Sequence, residues 1–290
     1  MNTIRTSRYE VSKIYLSRAV NWRKNNSPFL SGDSFGDLCD YVAYPPRFRN
    51  VTQSYKDLKE ARVVFCPSDR LEQFFADFYG SINAKIVIAG NSDHEFHFRP
   101  VNIPKSVKAL YLQNSFVSDD SHIFTLPIGI ENLKLGMNGK PHNFGNPSSV
   151  SIKSTKVLFG PFSNTHPDRV KVQNYFSRSS ELHDFLDHRL PPKSFSSLVK
   201  SYSYVAAVRG NGVDTHRLWE SLYLGTVPIV GRDSWSESLA KLNLPVKLID
   251  EWAVENIELI VKNEKAEIFD PAKYPALWIS YWSSKLRSHF

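Results

Sequence analysis

Cysteine is scarce in this chain, and long hydrophobic runs are missing from it. The 290 residues include two cysteines, Cys39 and Cys66, each in a largely apolar segment. This number disfavours a disulfide framework, and we expect two reduced thiols in a reducing compartment, the cytoplasm. No run of 18 or more apolar residues occurs, and the first residues lack the apolar core of a signal peptide. We therefore expect no transmembrane segment and no export signal.

Two motifs that mark metal and phosphate chemistry are also missing. The chain contains no Asp-x-Asp metal motif and no Walker loop. His94 and His97 are three residues apart, but no third ligand with metal spacing accompanies them, so a zinc site is not predicted. We expect neither a metal nor a cofactor.

Basic residues outnumber acidic residues, 36 to 29, which gives a formal net charge of +7. The bases are scattered, and no block of five or more lysines and arginines occurs. Nucleic acid is therefore not an expected partner. The sign of the charge favours an anionic ligand or acceptor, or contact with an acidic membrane surface.

Short apolar runs alternate with helical patterns along most of the chain. Continuous apolar strands that alternate with helices predict α/β architecture with parallel sheets covered on both faces. The stretch 141–156 is rich in Pro, Asn, Gly and Ser and divides two such series. We predict two facing Rossmann-like domains, 1–145 and 146–270, with a helix in 271–290 that crosses back to the first domain. The strands are predicted at 62–66, 85–89, 108–112, 123–126, 156–160, 203–208, 226–230 and 246–249.

The segment 204–230 is the most informative part of the sequence. It reads as a buried strand, a loop with two glycines that permit positive φ and close approach of a ligand, a helix capped by Asp214 or Thr215, and a second strand. Gly225 is placed to end the helix. Seven polar or charged side chains crowd into positions 209–220. A helix N-terminus beside glycines and an arginine suits a phosphate group. The alternative is an ordinary strand–turn–helix unit without a ligand.

The same segment resembles a known signature. Arg209-Gly210-Asn211-Gly212, the helix from Asp214 to Leu222 and the strand from Gly225 to Val230 are similar to the donor-binding pattern of exostosin-like glycosyltransferases. That pattern runs Pro-Arg-Gly, Arg-x-x-Glu-Ala-Leu and Gly-x-x-Pro-Val. A related helix, with Glu near its start and Gly-x-Val-Pro-Val after it, occurs in α-1,3-fucosyltransferases. Val208 replaces the usual proline and Ser221 the usual alanine.

The resemblance implies the two-domain fold called GT-B and a reaction. The reaction is inverting transfer of a sugar from a nucleotide diphosphate donor, by analogy a UDP-sugar, to a hydroxyl group of a glycan. Because an Asp-x-Asp motif is missing, we expect the transfer to need no metal. A GDP-fucose-type fucosyltransferase is the alternative enzyme.

The donor side is expected to combine two loops of the second domain. The loop after strand 156–160 offers hydroxyl groups, and a helix should begin near Pro167. We expect Arg169 and Arg209 to clamp a diphosphate and Glu220 to bind ribose. An ordinary capped helix is the alternative for the first of these loops. The predicted donor-binding residues are Ser163, Thr165, Arg169, Arg209, Asn211, Asp214, Thr215, Arg217 and Glu220.

The acceptor side is expected in the first domain. Asp93 follows the strand at 85–89, and we predict that Asn91 and Ser92 hold it as the general base. His94 and Glu95 are alternative bases, and with Asp33 and Glu131 they are the predicted acceptor-binding residues. An ordinary polar turn is the alternative for the loop at 90–96. A capped helix start at Ser34 is the alternative near Asp33, and an interdomain connection is the alternative for 127–132.

Two other classes of function remain open from the sequence. The first is a catalytically inactive module that binds a nucleotide-sugar or a glycan. The second is a basic nucleic-acid-binding protein, which the scattered bases disfavour.

Overall fold

The computed structural model describes residues 26–45, 53–117, 120–135, 138–144, 153–263 and 270–290. In these ranges the strands form two parallel sheets of five strands each. The first sheet has the order β1-β2-β3-β4-β5 and comprises Tyr41–Val42, Val63–Pro67, Ile86–Gly90, Ala109–Leu112 and Ile123–Thr125. The second has the order β10-β9-β8-β6-β7, in which β6 to β10 are Ser154–Phe159, His183–Phe185, Tyr202–Ala206, Val227–Gly231 and Lys247–Ile249.

Helices follow the strands in both halves of the chain. In chain order α1 to α9 are Gly32–Gly36, Tyr55–Glu60, Leu71–Phe78, Pro167–Phe176, Pro192–Lys200, His216–Tyr223, Ser234–Ala240, Val254–Asn263 and Ile279–Arg287. Short 3-10 segments lie at Ser68–Arg70, Pro141–Phe144, Pro271–Lys273 and Pro275–Leu277. The predicted α/β class, with two parallel sheets of the Rossmann-like type, is confirmed.

The eight strands predicted from apolar runs are present, each shifted by no more than a few residues. Two strands were not predicted. The strand β1 has two residues and β7 has three, His183, Asp184 and Phe185, so neither contains an apolar run that marks a buried strand. Both lie at the edges of their sheets. The strands β1 and β7 form because each pairs with a neighbouring strand, and their own sequences lack the apolar run that predicts a strand.

Alternation along the strands of the first sheet places side chains on two separate cores. Val64, Val87 and Leu110 face α2 and α3, where they pack with Leu71 and Phe74. The residues one position away face the other side and belong to a core that continues into the second sheet. The larger core therefore joins the two halves of the molecule.

The C-terminal helix α9 crosses back to the first sheet, as predicted. Trp282 is fully buried, and its ring packs edge-on against Phe35 at 5.7 Å and Tyr111 at 6.3 Å between centroids. The Tyr111 hydroxyl and His289 lie 2.8 Å apart. The chain ahead of α9 is anchored by a bridge between Phe29 and Trp278.

Local signals set the ends of the helices that border the site. Thr215 precedes α6 in extended conformation, and Gly225, with φ of 71°, follows its end. Near the N-terminus, Ser31 caps α1 by accepting from the Ser34 amide at 3.1 Å. The helix start that was an alternative at Ser34 is therefore present three residues earlier.

Other predictions concern the whole chain. Cys39 and Cys66 are both free thiols. Within the described ranges, no helix has the length and apolar character needed to cross a membrane. The predicted boundary at residue 145 falls in 145–152, which lies outside the described residues, so the limits of the two domains stay a prediction.

Candidate functional site

A cleft of about 770 Å³ lies between the two sheets, at the carboxyl ends of their strands. Loops that follow β3, β5, β6 and β8 contribute to its wall. In open α/β sheets, ligands bind at this edge. Three arginines line it, Arg169, Arg189 and Arg217, and we call it the arginine cleft.

Arg169 is fixed against the loop that follows β8. Its Nε and Nη2 donate to the Val208 carbonyl at 3.3 and 3.2 Å, and its Nη1 donates to Thr165 Oγ1 at 2.9 Å. These acceptors are neutral, so they orient the guanidinium without cancelling its charge. Burial lowers the pKa of Arg169.

Arg217 and Arg189 are held in the same way. Arg217 donates to the Gly160 carbonyl at 2.9 Å and stacks over the Phe195 ring at 4.5 Å, while Arg189 donates to the Ser163 hydroxyl at 2.7 Å. Burial lowers the pKa of Arg217 to about 10, Glu220 opposes that fall, and the positive charge of Arg169 adds to it. None of the three arginines forms an ion pair with a carboxylate of the described chain. No described carboxylate therefore neutralises the three guanidinium groups by direct contact, although Asp93, Glu131, Asp214 and Glu220 also line the cleft.

Two helices begin at the same wall without a side-chain cap. The helix α5 follows Pro191 and α6 follows Thr215, and neither residue accepts a cap hydrogen bond. The amides of a first helical turn have no partner within the helix and carry partial positive charge. Thr215 Oγ1 is buried in the cleft wall with no hydrogen-bond partner. Such orphan donors fit an anionic ligand.

The two loop glycines allow neighbouring side chains to pack closely against the backbone, while the predicted close approach of a ligand stays a prediction. A Cβ at Gly210 would lie 2.9 Å from Arg169 Nη2, and one at Gly212 would lie 2.6 Å from the Asn114 amide. The expectation of positive φ at these glycines is wrong, because in the described chain that conformation is found at Gly129, Gly160 and Gly225. Close packing rather than backbone freedom explains both residues.

Two carboxyls line the cleft wall, Asp214, which is buried, and Glu220, which is half-buried. Asp214 accepts from the Ile128 amide at 2.8 Å and from Trp219 Nε1 at 2.8 Å, so it joins the two halves of the molecule. Burial raises the pKa of Asp214 to about 7. Burial also raises the pKa of Glu220, although Arg217 opposes the rise. Glu220 lies one helical turn beyond His216, on the same side of α6.

Arg209 is placed differently from Arg169. Its Nη2 donates to Glu95 Oε1 at 2.5 Å in an ion pair across the two halves, and it is not among the described residues that line the arginine cleft. The structure thus separates the two arginines that the sequence placed together as a clamp. Arg189 lines the cleft instead, and no feature of its local sequence singled it out.

Asp93 lies where the arginine cleft meets a second cavity. Its carboxylate accepts from the Asn211 amide at 3.1 Å. The expected support from Asn91 and Ser92 is wrong, since the Asn91 side chain accepts from Asn132 and the Ser92 hydroxyl accepts from the His94 amide. The His94 ring packs edge-on against Phe96 and lines neither space.

The second cavity, of about 420 Å³, lies inside the first half of the chain. We call it the amide cavity, because Asn91, Gln113 and Asn132 line it. Asp33 lines it as well, as the predicted acceptor side requires. Glu131 lines the arginine cleft instead, where its Oε2 accepts from the Asn138 and Gly139 amides.

The two spaces share three described residues, Asp93, Ile128 and His216. His216 Nδ1 lies 2.8 Å from the Gly129 carbonyl oxygen. Since a carbonyl only accepts, Nδ1 carries the hydrogen, and in the neutral ring Nε2 is an acceptor. The sequence did not predict that His216 lies in both spaces, although His216 is one of the seven polar residues at positions 209–220.

The predicted donor residues gather in one place, with the exception of Arg209. Within the described parts of the chain, no group of three or more His, Cys, Asp or Glu residues is arranged to hold a metal ion. The cleft offers cations and amides, which bind anions. The predicted residues that line the cleft are Ser163, Thr165, Arg169, Asn211, Asp214, Thr215, Arg217 and Glu220.

Comparisons with known proteins add little to this geometry. No family model matches the chain, and no curated protein matches it. Among solved structures, AviGT4, a glycosyltransferase involved in avilamycin A biosynthesis, is similar with 10% identity and a TM-score of 0.40. The similarity covers 86% of this chain and 96% of that chain. A likeness of this size assigns no function, so the site itself has to carry the functional argument.

Proposed function

We propose that the protein is a glycosyltransferase that moves a sugar from a nucleotide diphosphate donor to a hydroxyl group of a glycan. The donor occupies the arginine cleft, with its diphosphate between Arg169, Arg189 and Arg217. UDP is the first candidate nucleotide and GDP the second, following the resemblance of 209–230. The transfer inverts the anomeric centre and needs no metal in this proposal.

One observation carries the proposal. Three guanidinium groups without an ion-pair partner in the described chain and two uncapped helix starts converge on a single cleft. Holding like charges together costs free energy unless an anion offsets it. Burial is the main cause of the lowered pKa of Arg217, Glu220 opposes it, and the charge of Arg169 adds to it. A diphosphate carries the opposite charge and many acceptor oxygens, so it suits this wall.

The same groups serve the chemical step. Negative charge develops on the diphosphate as the bond to the sugar breaks, and fixed donors aimed at that charge stabilise the transition state. The acceptor hydroxyl has to lose a proton as it attacks. We assign this base role to Asp93, which lies at the junction of the two spaces. Glu220, which also lines the cleft, is assigned to the ribose hydroxyl groups.

Calorimetry with UDP and GDP tests the donor site. Replacing Arg169 or Arg189 by alanine removes a charge-assisted hydrogen bond worth about 1.5–3 kcal/mol, so affinity is expected to fall about tenfold to a hundredfold. Arg189→Ala is the cleaner variant, because Arg189 makes one described hydrogen bond, to Ser163. A thermal-shift panel of UDP-, GDP- and CMP-sugars then identifies the donor.

Arg232→Ala is the matched control. Arg232 lies in the same half, is 45% exposed and pairs with Asp250 at the surface, so its loss should leave nucleotide affinity unchanged. If UDP and GDP fail to bind the wild-type protein, or bind both cleft variants as tightly as the wild type, the donor assignment is rejected. Donor hydrolysis by the purified protein separates an enzyme from an inactive binding module.

A further inference from the structure

We infer that the amide cavity binds an uncharged sugar and selects against acidic acceptors. The inference rests on the proposed function, because it names the acceptor class for the same reaction. The cavity opens to the arginine cleft at Asp93, Ile128 and His216. A sugar held in it presents a hydroxyl group to the base and to the donor.

The charge of the cavity excludes an anion. Its described lining contains two carboxylates, Asp33 and Asp93, and neither a lysine nor an arginine. The arginine cleft next to it has three arginines in its wall as well as four carboxyl groups, those of Asp93, Glu131, Asp214 and Glu220. The positive net charge of the chain favoured an acidic acceptor, but the described lining of the cavity that meets the donor space has acidic side chains and no lysine or arginine.

The polar lining is a preorganised network of neutral groups. Asn132 accepts from the Asp33 amide at 2.8 Å and donates to Asn91 at 2.9 Å, while Gln113 accepts from the Asn91 amide at 3.0 Å. A Cβ at Gly32 would lie 1.5 Å from Asn91 Oδ1, so only glycine leaves room for this side chain. Fixed amides and carboxylates are the groups that recognise sugar hydroxyls, which both donate and accept hydrogen bonds.

An aromatic ring at the rim supplies the apolar contact that a sugar face needs. Tyr44 lines the cavity, is 38% exposed and has φ of 47°, a conformation that non-glycine residues rarely adopt. Its ring packs edge-on against Phe74 and its hydroxyl donates to Asp77 at 3.2 Å. These two contacts fix the ring, and neither partner lines the cavity. In this inference the remaining surface of the ring meets the sugar.

Saturation-transfer NMR with matched sugar pairs tests the inference. The probes are the methyl glycosides of glucose, galactose, mannose and N-acetylglucosamine, with methyl α-glucuronoside as the acidic match of methyl α-glucoside. At least one neutral glycoside is expected to bind, and methyl α-glucuronoside is expected to bind at least tenfold more weakly than methyl α-glucoside. Tyr44→Ala should remove the neutral signal.

Tyr79→Ala is the control, because Tyr79 is 48% exposed on the same half and does not line the cavity. It should keep the neutral signal. The inference is overturned if no neutral glycoside binds, if the glucuronoside binds as well as the glucoside, or if Tyr44→Ala leaves binding unchanged. These measurements need no nucleotide, so their result is independent of UDP and GDP binding. Loss of nucleotide binding alone would reject the donor assignment, while the preference of the amide cavity for an uncharged sugar would stand.

Discussion

At the scale of single residues, the site is built by partners that fix side chains without neutralising them. Arg169 and Arg217 point at carbonyl oxygens of Val208 and Gly160. Arg209, next to Val208 in the chain, meets Glu95 instead and becomes part of an ion pair between the two halves. The same residue type is therefore left with its charge unpaired in one case and joins the two halves in the other, according to the charge of its neighbour.

The buried carboxyl of Asp214 should make stability depend on pH. Its ordinary pKa is 3.8, and burial raises the folded-state value to about 7. A raised value means that the folded protein holds the proton more tightly than the unfolded chain, so the free energy of unfolding should fall as pH rises from about 4 to about 7. The fall is on the order of a few kcal/mol, since one pKa unit corresponds to about 1.4 kcal/mol.

Urea denaturation at several pH values, on the wild type and on Asp214→Asn, measures this dependence. Asparagine cannot ionise, and its oxygen still accepts from Trp219 or Ile128. The difference in stability between the two proteins should therefore shift in favour of the variant as pH rises. If the free energies of unfolding of the two proteins change in parallel across that pH range, the raised pKa of Asp214 is contradicted.

Substitutions at Asp93 and His216 test which residue is the general base. Asp93→Asn should lower kcat for sugar transfer at least about a hundredfold, the usual size of a general-base contribution, while nucleotide binding stays intact. His216→Gln is the companion variant, since His216 is the other titratable residue that the described chain places in both spaces. Near-normal turnover by Asp93→Asn together with a large loss in His216→Gln would move the role to His216.

At the scale of elements, helix α6 is built around its N-terminus. A threonine before a helix usually caps it, and its loss then costs about 1 kcal/mol. Thr215 makes no cap bond, and its hydroxyl is buried without a partner. The helix is stabilised instead by its buried face, which includes Leu218, Trp219 and Leu222.

Thr215→Val therefore separates capping from ligand binding. Valine keeps the shape and removes a buried hydroxyl that lacks a partner, so stability in urea should stay the same or rise. Nucleotide affinity, measured by calorimetry, should fall severalfold because the hydroxyl no longer reaches the ligand. Ser31→Ala is the contrasting variant, since Ser31 does cap α1, and it should cost about 1 kcal/mol. A stability loss of that size in Thr215→Val would assign Thr215 to capping.

At the scale of the whole molecule, one core crosses both sheets. Phe65 and Ile88 of the first sheet belong to the same buried cluster as Val205 and Ile229 of the second. Polar contacts add to it, including the bonds from the Ile128 amide to Asp214 and from His216 to the Gly129 carbonyl. A cleft lined by both halves keeps its geometry only if the halves stay together, so this shared core serves the site.

We expect the two halves to unfold in a single transition. In a Cys39→Ser variant, reaction of a thiol reagent with buried Cys66 reports on the first sheet. Because Trp278 and Trp282 pack on the first half, fluorescence is measured in a variant in which Trp22, Trp278 and Trp282 are replaced by phenylalanine. Its signal then reports on the second half, where Trp219 and Trp235 are buried. The two transitions in urea should coincide. Midpoints that differ clearly between the two probes would show that the halves unfold separately.

Local sequence by itself determined the α/β class, most strands and the helix that borders the cleft. Apolar runs and the glycine at position 225 act over a few residues, so their consequences are visible without the fold. The short strands β1 and β7 had no such signal. Tertiary structure decided the rest of the site. Arg209 turns to a carboxylate 114 positions away, and Arg189 reaches Ser163 across 26 positions. Direction of a long side chain depends on which distant charge or carbonyl the fold brings near it, and no local pattern carries that information.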